Sequence, residues 1–549
     1  MEILQSGDTV NGIVQPPPTP RQWLGLLAVS SGVALIVVDV TIVNVIMAPV
    51  IDDLGIGAVE AQWVQESYAI SFAALLLLAG RLSDAFGARK VFLLGLAVFG
   101  ATSLSAAVAP DGGVLILARF LQGFGAAAIL PTSLALVNAS FTGRARGRAF
   151  AVWGSTIGAA AAVGPLLGGR LADLSWRWAF GINIPLVALI AAGTLLHLDA
   201  SPRVRARIDG VGGALSVIGL GLLSFALIEG RAYGWFETVR ALDLGVFTWS
   251  VGPSPVAVAF AVAAVSLGLF WRRQKALGAT GGEPLVDVRL FAVDSFRNGN
   301  VVTVLVGVGE FGIIAVLPLW LQFALGYSAF ETGLALVALA GGSFVASGVS
   351  FPMAASVPAL RHVRVGLVLE SAGLVLLGLI AGTDSAWWQI GLSLFVYGVG
   401  VGFATAQVTN IVLADVPVQS AGQGSGVQSA ARELGSALGI ALLTTLFFST
   451  LASDLKERLG DAGFPGGKAE QVSGVVTESA GSVIPSLSDD PGTAGAAGPA
   501  REAMAHGLEL ASYVCAALLV LALAATLRVR TTSSAAAVVQ EDEQEARSA

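Results

Sequence analysis

The sequence predicts an all-α, polytopic membrane protein. Of its 549 residues only 12% are charged and 55% are hydrophobic, and the mean hydropathy is +0.78. A soluble chain carries near 25% charge. Uncharged stretches also recur along the chain, for example 91–109, 120–143, 332–360 and 385–414. Each approaches or exceeds the roughly 20 residues that a helix needs to cross a hydrocarbon layer about 30 Å thick. Backbone groups in lipid must bond internally, and strand alternation is absent, so the spans are helices.

Charged, Pro-rich and Gly-rich breaks divide the apolar runs into 14 spans. Span 1 (23–50) and span 2 (61–80) precede a loop with Arg81, Arg89 and Lys90. Spans 3 (91–109) and 4 (114–138) lead to Arg144, Arg146 and Arg148; spans 5 (148–171) and 6 (178–198), joined near Arg177, lead to Arg203, Arg205 and Arg207. Spans 7 (211–229) and 8 (250–271), with Arg231 and Arg240 between them, lead to Arg272, Arg273, Lys275 and Arg289. Spans 9 (298–323) and 10 (332–351) lead to Arg361 and Arg364; spans 11 (365–383) and 12 (387–414) follow, then 13 (424–450) and 14 (508–528), which ends at Arg528 and Arg530. Basic residues favour the cytoplasmic side of short loops, so this pattern puts both termini in the cytoplasm. Segment 451–507, rich in Gly, Ser, Ala and Pro, falls outside. It is expected to pack loosely, with "DLKERL" at 454–459 extending span 13 by a turn or two.

The first 22 residues contain Glu2, Asp8 and Pro16–Pro18 and show no cleavable signal. The single cysteine, Cys515, excludes a disulfide framework. No HExxH, paired His, or nucleophile with a base at motif spacing is present, so neither a metal site nor an enzyme is expected. No Walker loop is present either, so ATP is not the expected drive. Nothing points to nucleic acid.

"GRLSDAFGARK" at 80–90 places four charges in one short connection. Topology explains the bases but not Asp84, Gly80 or Gly87. Glycines permit close backbone approach at a sharp helix turn. Asp84 can accept bonds from helix-end amides of a facing half, and Arg89 can pair with a nearby carboxylate. The spacing resembles the signature loop of the major facilitator superfamily, a cytoplasmic latch comprising here Gly80, Asp84, Gly87, Arg89 and Lys90.

Further stretches resemble one branch of it, the 14-span drug:proton antiporter family. These are "VVDVTIVNVIMAPVI" at 37–51, "LARFLQGFGAAAILPTSLALV" at 117–137, "GPLLGG" at 164–169, "WRWAFGINIPL" at 176–186, "PLVDVRLFAVDSFRNGN" at 284–300 and "ARELGSALGIA" at 431–441. The resemblance implies a major facilitator fold of two six-helix bundles plus two extra central spans. The expected organisation is a cytoplasmic tail (1–22), an N-terminal bundle (23–198), a linker containing the two extra spans (199–296), a C-terminal bundle (297–528) and a second cytoplasmic tail (529–549). It also implies helix packing through Gly164, Pro165, Gly168 and Gly169. A substrate site near the midplane would be exposed alternately to each side.

Ionisable groups inside a span cost at least about 2.5–3.5 kcal/mol at its centre, so each needs a reason. Asp39 and Arg119 fall at comparable depth in spans 1 and 4. Two readings stay open: a buried ion pair that fixes packing, or a proton site. Burial and an adjacent cation pull a carboxyl in opposite directions, which suits a proton that loads and leaves. The family resemblance assigns proton coupling to this Asp and its relay to this Arg. Glu310, near the middle of span 9, is a candidate cavity residue or second proton site. Glu66 is another, unless it merely reaches the outer interface. Glu370 is expected to pair with Arg364, and Glu433 with Arg432.

The function expected is proton-driven efflux of amphipathic, often cationic compounds across the cytoplasmic membrane by a monomer without cofactors. The alternative is a dedicated exporter of one metabolite or self-made antibiotic. A non-transporting receptor on the same scaffold is a third class, disfavoured by the embedded carboxylates.

Overall fold

A computed structural model describes residues 9–10, 13–14, 18–172, 174–201, 208–243, 248–353 and 357–529. Its helices are α1 (Pro20–Leu54), α2 (Ala58–Phe86), α3 (Ala88–Ala107), α4 (Gly112–Ser140), α5 (Gly143–Ala172), α6 (Arg177–Gly181) and α7 (Asn183–His197). Next come α8 (Gly210–Tyr233), α9 (Pro255–Ala279), α10 (Asp294–Leu319), α11 (Ala329–Met353), α12 (Ala359–Ile380) and α13 (Trp387–Val412). The last are α14 (Ala421–Asp461), α15 (Gly466–Glu478), α16 (Ile484–Leu487) and α17 (Ala497–Ala525).

Among the described residues, 13 helical segments are long and apolar enough to cross a membrane, α6 and α7 together counting as one. The 30-residue α5 is long enough for a fourteenth. Its residues 149–169 carry no charge, and it packs along α1 and α11. The fold class expected from the sequence is therefore the one observed.

The helices outrun their apolar stretches. Thr19 caps α1, its hydroxyl accepting from the Gln22 amide and its own amide donating to Gln22 Oε1. Such reciprocal bonds satisfy free helix-end amides, so the helix begins before the apolar run does. At 35 residues α1 is about 52 Å long, well beyond the hydrocarbon thickness.

Both bundles use the same packing device. In the first, Gly164 and Gly168 of α5 lie against α1: a β-carbon on Gly164 would collide with Thr41, and one on Gly168 would lie 3.2 Å from Val45 Cβ. In the second, Gly435 and Gly439 of α14 meet the Val304 and Val308 carbonyls of α10. Glycines four residues apart share one helix face and let backbones approach closely. The extra helices α8 and α9 pack on each other, and α8 lies against α2.

The chain turns expected on one side do gather at one end. There Arg21 pairs with Asp199 at 3.1 Å, Gln22 donates to the Ser140 carbonyl, and Asn298 donates to the Arg528 carbonyl. Arg203, Arg205, Arg207 and Arg530 lie outside the described residues. At the opposite end Arg177 bonds Asp53 and the Ala109 carbonyl.

Segment 451–507 is not loose. α14 continues to Asp461, α15 folds back over it, and α16 packs against α17. Leu455, Leu459, Val472, Val476, Ile484 and Met504 are all buried together in this cap. Composition misled here because the apolar residues are sparse but fall at helical spacing, so each turn contributes one to a shared core.

Candidate functional site

Asp39 sits near the middle of α1 and is 1% exposed. Arg119, seven residues into α4 and equally buried, donates from Nη1 to Asp39 Oδ2 at 2.5 Å. The other carboxylate oxygen accepts from Gln122 Nε2 at 2.9 Å and Asn183 Nδ2 at 2.8 Å. Ser103 accepts from the same two amides. Arg119 also donates to Gln122 Oε1 and the Val64 carbonyl, and its guanidinium lies 4.3 Å from the centre of the Tyr68 ring. Donors from α4 and α7 thus converge on the buried carboxylate of α1, and Ser103 of α3 and the Val64 carbonyl of α2 bond those donors in turn. Every oxygen of Asp39 has a donor, as a buried charge requires.

Gln122 and Asn183 were not singled out in the sequence. Gln122 follows Arg119 by three residues, which places both on one face of α4. Asn183 stands in the "GINIPL" stretch that opens α7.

At the end bearing the α2–α3 turn, the bundles touch. Asp84 accepts from the backbone amides of Gly422, at 2.7 Å, and Gln423, at 2.9 Å. These are free donors at the N-terminus of α14, where the helix dipole favours an anion. Gly80 abuts Gly422 and Gly426 so closely that a β-carbon would collide with the Gly422 carbonyl. Nearby, Arg146 donates to Asn410 Oδ1 and the Ala414 carbonyl, and Arg81 lies 3.9 Å from Glu283. This end of the protein is closed.

The remaining loop residues act differently from expectation. Gly87 ends α2 at φ +92°, a conformation that side chains disfavour, so the turn itself calls for glycine here. Among the described residues Arg89 meets no carboxylate. It donates to the Leu195 carbonyl at 2.7 Å near the C-terminal end of α7, a favourable place for a cation. Lys90 is exposed.

Of the packing residues, Gly164 and Gly168 face α1, whereas a β-carbon on Gly169 would meet nothing within 4 Å. Gly169 is therefore not a helix contact. The Pro165 side chain lies outside the described residues.

In the second bundle, two expected pairings are replaced. Arg432 reaches back to Glu310 of α10 at 3.5 Å instead of pairing with Glu433, its chain neighbour. Adjacent residues on a helix point about 100° apart, so such neighbours rarely meet. Glu433 is half-buried and lies within electrostatic reach of Tyr68 on the first bundle. Arg364 bonds Thr526, leaving Glu370 fully buried with neither carboxyl oxygen bonded among the described residues.

Glu310 and Arg432 line a small cavity with Thr303, Thr405, Thr409 and Gln428. Its accessible space, about 10 Å³, holds roughly one water, so anything larger requires the bundles to part. Glu66 is half-buried on α2 and shares the amide of Gln62 with Glu229 of α8.

Two helical bundles, a buried carboxylate–arginine pair and a helix-end latch between the halves define a membrane transporter. The chain belongs to the Major Facilitator Superfamily, whose family model matches residues 29–440. It is 36% identical to the puromycin resistance protein pur8 of Streptomyces alboniger, over 80% of this chain and 84% of that one. It is 31% identical to the multidrug resistance protein Stp of Mycobacterium tuberculosis, over 80% and 78%. Its fold is similar to that of the human organic anion transporter MFSD10, with a TM-score of 0.60 at 14% identity, covering 93% of this chain and 100% of that one.

Proposed function

We propose that this protein expels amphipathic, often cationic drugs in exchange for protons, by alternating access and without chemistry on the substrate. The observation that carries the reading is Asp39, buried in a shell of Arg119, Gln122 and Asn183. A carboxylate held by one cation and two amides can take a proton when Arg119 turns to another partner, such as the Tyr68 ring or the Val64 carbonyl that it already contacts. Proton loading on Asp39 then weakens a tie between α1 and α4. The direction of drug movement follows from resistance relatives.

The end bearing Asp84 is read as cytoplasmic, supported by the basic residues gathered there. The protein would act as a monomer in the cytoplasmic membrane, with no cofactor. One proton moving through 100 mV supplies about 2.3 kcal/mol. For an uncharged drug that sustains roughly a 40-fold gradient, at 1.4 kcal/mol per factor of ten, whereas one-for-one exchange of a monovalent cation is electroneutral and draws on the pH difference alone.

A second reading, a dedicated exporter of one antibiotic, is favoured by the puromycin resistance relative. Efflux of ethidium and of puromycin from proteoliposomes separates the two. Broad efflux that stops with a protonophore supports the first reading; movement of puromycin alone supports the second. Efflux indifferent to the protonophore would refute proton drive in both.

A further inference from the structure

The pair formed by Glu66 and Glu229 serves no part of the mechanism above. Glu66 lies eight residues, or about 12 Å, from the start of α2, and Glu229 lies four residues from the end of α8. Both are therefore near the end opposite the latch. Glu229 is 1% exposed. The Nε2 of Gln62 donates to Glu66 Oε1 at 2.7 Å and to Glu229 Oε2 at 3.2 Å, so one amide holds both side chains. The two carboxyl groups are within hydrogen-bonding reach of each other. Glu66 Oε2 and Glu229 Oε1 are buried and have no donor among the described residues.

Among the described residues no base is bonded to either group. Gln62 of α2 bonds both groups, and Tyr233 of α8, itself bonded to Trp63 and near Arg240, lies within electrostatic reach of the pair. Arg231, on α8 itself, turns away to the Thr477 carbonyl and the Phe448 ring. On neighbouring helices Arg119 of α4 is engaged by Asp39 and Arg432 of α14 by Glu310, while Glu433 of α14 comes within electrostatic reach of Tyr68, two residues from Glu66.

Two carboxylates in contact in a dry site do not both ionise; one keeps a proton and donates it to the other. A proton shared between them would supply the donor that these two oxygens lack among the described residues. We propose that Glu66 and Glu229 hold one shared, exchangeable proton, forming a proton site that joins the inserted helix α8 to the first bundle. Loading it strengthens the α2–α8 contact, and emptying it sets two negative charges against each other across that contact. The extra helices would then take part in the proton cycle rather than only widen the scaffold. The site deepens the proton-coupled reading, but its existence does not depend on Asp39.

Infrared difference spectra of the full-length protein in nanodiscs, recorded on pH steps without substrate, test this directly. Glu229→Gln and Glu66→Gln are suitable variants, because an amide replaces the proton donor and keeps the bridging bond. Wild-type protein should show a protonated-carboxyl signal that bleaches as pH rises. That signal should be lost in either variant and kept in Asp39→Asn. Its persistence in both Gln variants would overturn the proposal. So would a signal that they remove but that never responds to pH, which marks a fixed structural clamp. Failure of drug efflux in the same preparations would bear on Asp39 and leave this result standing.

Discussion

Gly80 of α2 stands directly against Gly426 of α14: a β-carbon built on Gly80 would lie 2.9 Å from the Gly426 Cα. The closed end of the protein is a glycine-on-glycine contact, and Asp84 one turn further on fastens it to two amides. Gly80→Leu should hold this end apart. Spin labels at Phe86→Cys and Val418→Cys, both exposed positions on opposite halves, should then report a longer separation. An unchanged distance distribution would mean that the contact does not close the protein.

Asp84→Asn and Gly87→Ala should separate two roles within one loop. Asp84 meets its partners across the bundle interface, so its loss should cost the closed state about 1.5–3 kcal/mol and leave unfolding little changed. Gly87 sits at φ +92° within its own bundle. A side chain there should cost about 1–3 kcal/mol of fold stability instead. Thermal unfolding and label distances on both variants check this division.

The cap over α14 makes its own prediction. Leu459 is fully buried in the core that α14 shares with α15 and α17. Leu459→Ala should cost about 2–5 kcal/mol and lower the Tm, although the residue lies far from the gate and the buried charges. Deleting 470–498 should likewise expose apolar surface and reduce the yield of folded protein. A deletion with wild-type Tm would show that the cap is dispensable.

Much of this was legible in the sequence, because lipid imposes one solution on the backbone and basic loops mark the sides. The number of crossings and the contact of Asp84 with the facing helix follow from those signals. Side-chain partners were less legible. Arg432 and Glu433 are adjacent in sequence, but helix geometry turns them apart, and Glu310 takes Arg432 from 122 residues away. Arg89 found a carbonyl end instead of a carboxylate. Glu229 drew no notice because its significance rests on Gln62 and Glu66, which only folding brings beside it.

Glu310 should matter for charge selectivity. It faces the small cavity with Arg432, and its carboxylate is the acidic group on that wall. Glu310→Gln should lower ethidium efflux several-fold while sparing an uncharged substrate such as chloramphenicol. Parallel efflux assays on matched proteoliposomes test it; an equal loss for both compounds would make Glu310 a structural partner of Arg432.

Asp39 is the residue on which proton coupling rests. Asn at this position keeps the size of the side chain but cannot exchange a proton, and it leaves Arg119 without a counter-charge. If the pair only fixes packing, that orphaned charge should cost about 3–5 kcal/mol and lower the Tm sharply. The most direct measurement is ethidium transport by purified Asp39→Asn in proteoliposomes under an imposed pH gradient, with Tm recorded on the same sample. A proton role predicts a folded protein that exchanges ethidium downhill at a rate indifferent to pH and never concentrates it. A stable Asp39→Asn protein that still builds a drug gradient from a pH gradient would contradict it.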